Sequence, residues 1–122
     1  MIKIISVEFF KTEMENEPVR EWLKSLLEED RKKIGSDIKT VELGWVLGMP
    51  LVKKIDKNPK LWEVRTNLSS GKISRVIFTV DKDCMVLLHG FITKDQKIPL
   101  KDKNLATDRA KNFYIGKGCD EK

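Results

Sequence analysis

The spacing of apolar positions changes along this chain from a strand-like run, to a helical period, to strict alternation. Ile2, Ile4, Ile5, Val7, Phe9 and Phe10 form a β-branched and aromatic run that predicts a first strand. Residues 13–17 are acidic and polar and turn the chain. Asn16 is a candidate helix cap, with Pro18 in the first turn, where a missing N–H is tolerated. Val19, Trp22, Leu23, Leu26 and Leu27 then fall at i, i+3, i+4, i+7 and i+8, one face of a helix. At that spacing Trp22 reads as core rather than as a ligand platform. A second helix is expected over 29–43, with Ile34, Ile38 and Val41 as its apolar stripe and a stop at Gly44.

Beyond a glycine- and proline-bearing loop at 44–50, the period becomes 2. A short strand is expected at 51–55 and a turn at 56–60. Over 61–68, Trp62, Val64, Thr66 and Leu68 alternate with Glu63, Arg65 and Asn67. Ser69-Ser70-Gly71 turns the chain. Over 72–80, Ser74, Val76, Phe78 and Val80 oppose Ile73, Arg75, Ile77 and Thr79. A turn at 81–83 leads to the most apolar strand, 84–92, with His89 near its end. A last helix is expected over 100–113, docking through Leu105, Ala106, Arg109 and Phe113. The order β-α-α-β-β-β-β-α predicts an α+β fold. An N-terminal strand and helical hairpin pack on a small antiparallel sheet, followed by a C-terminal helix. One domain is expected over 1–113, with 114–122 a frayed tail.

Composition narrows the chemistry. A chain of 122 residues, 40% hydrophobic, suits a single core. No apolar run approaches the roughly 18 residues of a membrane span, and the N-terminus lacks the parts of a signal peptide, so a cytoplasmic protein is expected. Cys84 and Cys119 are the only cysteines and His89 the only histidine. That excludes a cysteine-rich zinc site and two-histidine acid–base catalysis. Phosphate-binding glycine loops, GxSxG and HExxH motifs are absent. Neither a metal nor a cofactor is expected.

The charge is concentrated. Residues 53–97 hold ten basic and five acidic side chains, which accounts for the entire net charge of +5. A basic strand surface attracts phosphates through a sequence-independent Coulomb term. Lys53, Lys57, Lys72 and Lys97 are the candidate RNA-backbone contacts in this block. Arg65 and Arg75 lie on strands joined by a turn, so they can face one groove and offer bidentate phosphate recognition. RNA can be cut without metal. The 2′-hydroxyl attacks the adjacent phosphate, the 5′-oxygen leaves, and the protein aligns the backbone, stabilises negative charge and moves two protons. A lysine crowded by other cations could act as base, and His89 as base or acid.

The series Leu61-Trp62-Glu63-Val64-Arg65, Arg75-Val76-Ile77-Phe78 and Leu87-Leu88-His89-Gly90-Phe91 resembles the RelE/ParE toxin superfamily, in particular its HigB-like, phage-derived branch. Gly48-Met49-Pro50-Leu51-Val52-Lys53-Lys54 before these strands fits the same pattern, as do Lys94-Asp95-Gln96-Lys97-Ile98-Pro99 and the Ala106, Arg109, Ala110 set after them. The resemblance implies the toxin of a type II toxin–antitoxin module. It implies an endoribonuclease that cuts mRNA in the ribosomal A site, partnered by a helix-turn-helix, HigA-like antitoxin. By motif position, Arg65 and Arg75 would bind the scissile phosphate. Lys53 and Lys54 would match the basic pair before the central strands, one of them (Lys54) a candidate base. Lys94 would be a base, acid or phosphate ligand, and His89 would match the histidine of its strand. Relatives often carry two lysines after this strand, where the present chain has Thr93-Lys94, and the only tyrosine here, Tyr114, lies late in the chain. A gyrase poison of the same fold and an antitoxin-binding phage remnant are the alternatives.

Overall fold

A computed structural model describes residues 5–46 and 51–116. The start of the expected first strand, the Gly48-Met49-Pro50 segment and most of the expected tail lie outside the described residues. The elements are β1 (Ser6–Phe9), α1 (Pro18–Lys24), α2 (Glu28–Gly44), β2 (Val52–Lys57), β3 (Lys60–Asn67), β4 (Ile73–Asp81), β5 (Cys84–Thr93) and α3 (Leu100–Ile115). They form one five-stranded sheet in the order β1-β5-β4-β3-β2.

The sheet is α+β as expected but mixed rather than purely antiparallel. β2 to β5 form antiparallel pairs, whereas β1 runs parallel to β5, with Phe9 opposite Leu87. No tight turn joins these two strands, so nothing forces them to oppose. The helical hairpin differs in detail from its expected form. α1 ends at Lys24, and Leu27, exposed, caps the start of α2. Asn16 is not a helix cap: Glu17 stands there, and the Asn16 N–H instead bonds Thr12 Oγ1 at 3.2 Å. α3 continues to Ile115, past the expected end at 113.

The alternation along the strands divides the core in two. Val64, Leu68, Val76, Phe78, Met85 and Leu87 face the hairpin and pack on Val19, Ile34, Ile38 and Val41. Trp62 joins this layer, stacked on Phe78 and edge-on to Trp45. Leu61, Ile77, Val86 and Leu88 face α3 and pack on Ala106 and Ala110. β4 lies at the centre of the sheet and is covered on both faces from Ile73 to Thr79.

β5 carries the local feature that shapes the site. Its pairing with β4 shifts between Ile77 and Phe78, so Leu88 and His89 form a bulge and both turn toward α3. Arg109 of α3 donates from Nη1 to the Leu88 carbonyl at 2.8 Å. Gly90 then faces the hairpin. A β-carbon there would meet the Trp22 ring at 2.4 Å, so the glycine makes room for the core tryptophan.

Candidate functional site

Two arginines meet on the sheet face that also carries α3. Arg65 of β3 lies directly opposite Arg75 of β4, and Glu63 is two residues before Arg65 on the same face. Glu63 is buried. It accepts both its hydrogen bonds from Arg75 Nη1, at 2.8 and 3.0 Å, and lies 3.9 Å from Arg65 Nε. Two guanidiniums around one carboxylate leave a positive charge on this face.

The arginines have different fates. Arg75 is 1% exposed. Its Nη2 donates to the carbonyls of Asp95 and Gln96 at 2.9 and 2.7 Å, so its four Nη–H donors are committed. Its Nε is buried with no hydrogen-bond partner among the described residues. Arg75, expected to bind the scissile phosphate, is thus placed inside the fold with these donors engaged. As the chain is folded, Arg75 ties the 94–97 loop to the sheet and has no open donor edge. The reason is its place on the central, doubly covered strand. Arg65 keeps 20% of its side chain exposed, and its Nη2 makes one longer hydrogen bond, 3.3 Å, to Gln96 Oε1.

The lysines divide as well. Lys53 pairs with Glu63 across β2 and β3 and so shares the arginine face. Lys54 pairs with Trp62, and its Nζ lies 6.0 Å from that ring's centroid. Lys54, expected among the catalytic groups, thus points to the opposite face. Lys57 is at the far end of the sheet, beside the turn to Lys60, and is not brought to the arginines. Lys72 adjoins the start of β4 near the arginine end. Lys94 and Lys97 are exposed on the loop that Arg75 holds.

His89 faces the same side. It pairs with Ile77 while Phe91 pairs with Arg75, so His89 and Arg75 are diagonal neighbours, roughly 7–8 Å apart by ordinary sheet spacing. Its Nε2 lies 2.7 Å from Asp102 Oδ1, in the first turn of α3, and its ring stacks on Phe91 at 5.3 Å. Asp102 and Gln96 were not among the sequence candidates. No spacing rule connects them to β3 and β5, since only the return of α3 and its preceding loop across the sheet brings them close.

Two other titratable groups depart from their ordinary values. Burial lowers the pKa of Arg109 below the usual guanidinium value. Asp56 is held below the usual carboxylate range, first by the Lys57 backbone N–H and then by Lys103 of α3. Tyr114 shares a 2.8 Å hydrogen bond with Thr79 Oγ1 toward the other end of the sheet, so no tyrosine joins the arginines among the described residues. Cys84 is not a free thiol. Among the described residues no three His, Cys, Asp or Glu side chains could hold a metal ion together, and no helix is long and apolar enough to cross a membrane. Beside Arg65 a groove of about 740 Å³ opens toward α2, lined by Lys32, Lys33, Ser36, Asp37, Thr66 and Asn67 among others.

A sheet backed by a helical hairpin, with an arginine-rich face beneath a C-terminal helix, is consistent with a RelE-like fold. The family described as phage-derived protein Gp49-like (DUF891) matches residues 21–111, more than half of the chain, and the chain belongs to it. This is a family of RelE/HigB-type toxins, commonly the toxins of toxin–antitoxin modules, which implies an antitoxin partner. No curated protein matches the chain in sequence.

Proposed function

We propose that this chain is a HigB-like toxin and a metal-independent endoribonuclease, cutting mRNA on the ribosome in the cytoplasm. The observation that carries the reading is the accessible Arg65 guanidinium on one sheet face with His89. Arg65 offers a charged, forked donor to a phosphate. Lys53, Lys94 and Lys97 add positive charge at exposed positions, and Lys72 lies close by. His89, the chain's one imidazole and so a candidate proton carrier, stands within a nucleotide's reach of the arginines. Arg75 acts through the loop it holds, as a positioning residue. The groove past Arg65 is lined by α2 on the hairpin side, and in this reading the RNA backbone reaches the arginine face by passing Lys32 and Lys33 there.

In this reading the 2′-oxygen attacks phosphorus, the bond to the 5′-oxygen breaks, and the products are a 2′,3′-cyclic phosphate and a 5′-hydroxyl. Arg65 and the lysines stabilise the added negative charge of the pentacoordinate phosphorus. The partner is a helix-turn-helix, HigA-like antitoxin. The test is induced expression followed by mapping of transcript 5′ ends, with Arg65→Ala as control. Growth arrest with new 5′-hydroxyl ends inside coding frames, absent in Arg65→Ala, supports the reading. Arrest with intact transcripts and broken DNA replaces it with a gyrase poison. A soluble, folded protein that arrests nothing replaces it with an antitoxin-binding remnant.

A further inference from the structure

His89 and Asp102 form a pair that no sequence motif announced. The bond is short, 2.7 Å, and both side chains are largely sheltered, at 15% and 13% exposed. One ring contact and two features of the neighbouring backbone hold the ring in place. Phe91 lies against it within 24° of parallel. The bulge at Leu88 and His89 turns the ring toward α3. Arg109 clamps the bulge through the Leu88 carbonyl. So many constraints on one side chain exceed what a surface histidine needs.

We propose that Asp102 sets the tautomer of His89 and so makes Nδ1 the acceptor of the 2′-hydroxyl proton. The inference rests on the ribonuclease reading. An ionised carboxylate can only accept hydrogen bonds, so the ring nitrogen facing Asp102 must carry hydrogen. That nitrogen is Nε2. In a neutral imidazole the other nitrogen then holds the lone pair, so Nδ1 is the basic atom. As the 2′-O–H bond breaks, its proton goes to Nδ1 and its electrons form the bond to phosphorus. The bond from phosphorus to the 5′-oxygen breaks, and that oxygen takes a proton from water. Asp102 faces the imidazolium that results. Asp102 touches no reacting atom and is a positioning residue.

The competing account is that the pair only pins the first turn of α3 to the sheet. Asp102→Asn separates the two. The amide keeps a hydrogen bond of similar size but can donate to Nε2, which favours the proton on Nδ1. A pin would survive this change, whereas a base would be blocked. Because His89 is the only histidine, ¹⁵N-histidine labelling of the whole chain reports its tautomer without ambiguity. The expected wild-type spectrum shows hydrogen on Nε2, with a shift toward Nδ1–H in Asp102→Asn. In single-turnover cleavage of ribosome-bound message, Asp102→Asn is expected to lose about a hundredfold or more in rate, with the concentration for half-maximal rate little changed. A wild-type ring protonated on Nδ1 overturns the inference, as does an Asp102→Asn protein that cuts as fast as wild type. A wild-type protein that cuts no RNA, on or off the ribosome, overturns the ribonuclease reading instead, and the tautomer spectrum still reports on the pair.

Discussion

Replacing Arg75 by alanine should destabilise the domain before it reveals anything about catalysis. Glu63 is buried beneath it and takes both of its short hydrogen bonds from Arg75 Nη1. Without Arg75, the nearest remaining cation is Arg65 Nε at 3.9 Å. Breaking a buried ion pair by removing one partner costs about 3–5 kcal/mol. That is a large part of the roughly 5–15 kcal/mol by which a domain is stable. With a urea slope of about 2 kcal/mol per molar, the unfolding midpoint should fall by about 2 M. Urea titration followed by the fluorescence of Trp22, Trp45 and Trp62 measures it, since all three pack against the core on the hairpin face. Removing both charges, as Glu63→Leu with Arg75→Met, should return stability to within about 1 kcal/mol of wild type, because the desolvation cost disappears with the pair. If Arg75→Ala alone unfolds within about 1 kcal/mol of wild type, Glu63 has found another partner, and the account of this pair as the anchor of the 94–97 loop is wrong. For the same reason, loss of toxicity in Arg75→Ala cannot identify a phosphate ligand. Arg65→Ala, at a partly exposed position, is the cleaner probe.

Other perturbations test separate parts of the architecture. Gly90→Ala drives a methyl into the Trp22 ring, with a 2.4 Å approach in place, and should cost about 1–3 kcal/mol as overpacking; an unchanged thermal midpoint would show that α1 shifts freely. Lys53→Gln should weaken RNA cleavage more than Lys54→Gln, because only Lys53 shares the arginine face, and equal losses would argue against a face-specific contact. Lys32→Gln with Lys33→Gln should lower affinity for a non-cleavable single-stranded RNA and flatten its salt dependence by about 1.4 units of log–log slope; an unaltered slope would remove the α2 groove from the RNA path.

Much of this fold was legible because the governing patterns are local. Alternation along 61–68 and 72–80 placed Val64, Leu68, Val76 and Phe78 on one face, where they pack together. Helical spacing placed Val19 and Trp22 in the core. What was not legible depends on strand order. Nothing in the local sequence says that β4 is central, yet this decides that Arg75 is buried and Arg65 accessible. The bulge in β2 is equally hidden: pairing shifts between Lys54 and Asp56, and Ile55 packs into the core beside α3. Because the regular register holds through Lys54 and breaks only after it, Lys53 and Lys54 point to opposite faces and do not act as one unit. The direction of β1 also escaped the pattern, since an apolar run carries no sign of which way its neighbour runs.

The contrast between the two arginines explains how one face can be both a structural joint and a receptive surface. The Nη–H donors of Arg75 are taken by a carboxylate and two backbone carbonyls, and an incoming phosphate would have to replace four hydrogen bonds while leaving Glu63 buried and charged. That exchange is prohibitive. Arg65 gives up one hydrogen bond of 3.3 Å, to the neutral amide of Gln96 at an exposed position. A neutral acceptor contributes about 1 kcal/mol there, and a charge-assisted, forked contact to phosphate is stronger. On the proposed reading, the exchange with phosphate therefore falls to Arg65 rather than to Arg75. The backbone that Arg75 holds is also the backbone that presents Gln96, so the buried arginine sets where the accessible one's competitor sits. Loosening Arg75 would move Gln96, Lys94 and Lys97 together, and effects on activity at these positions should be coupled rather than additive.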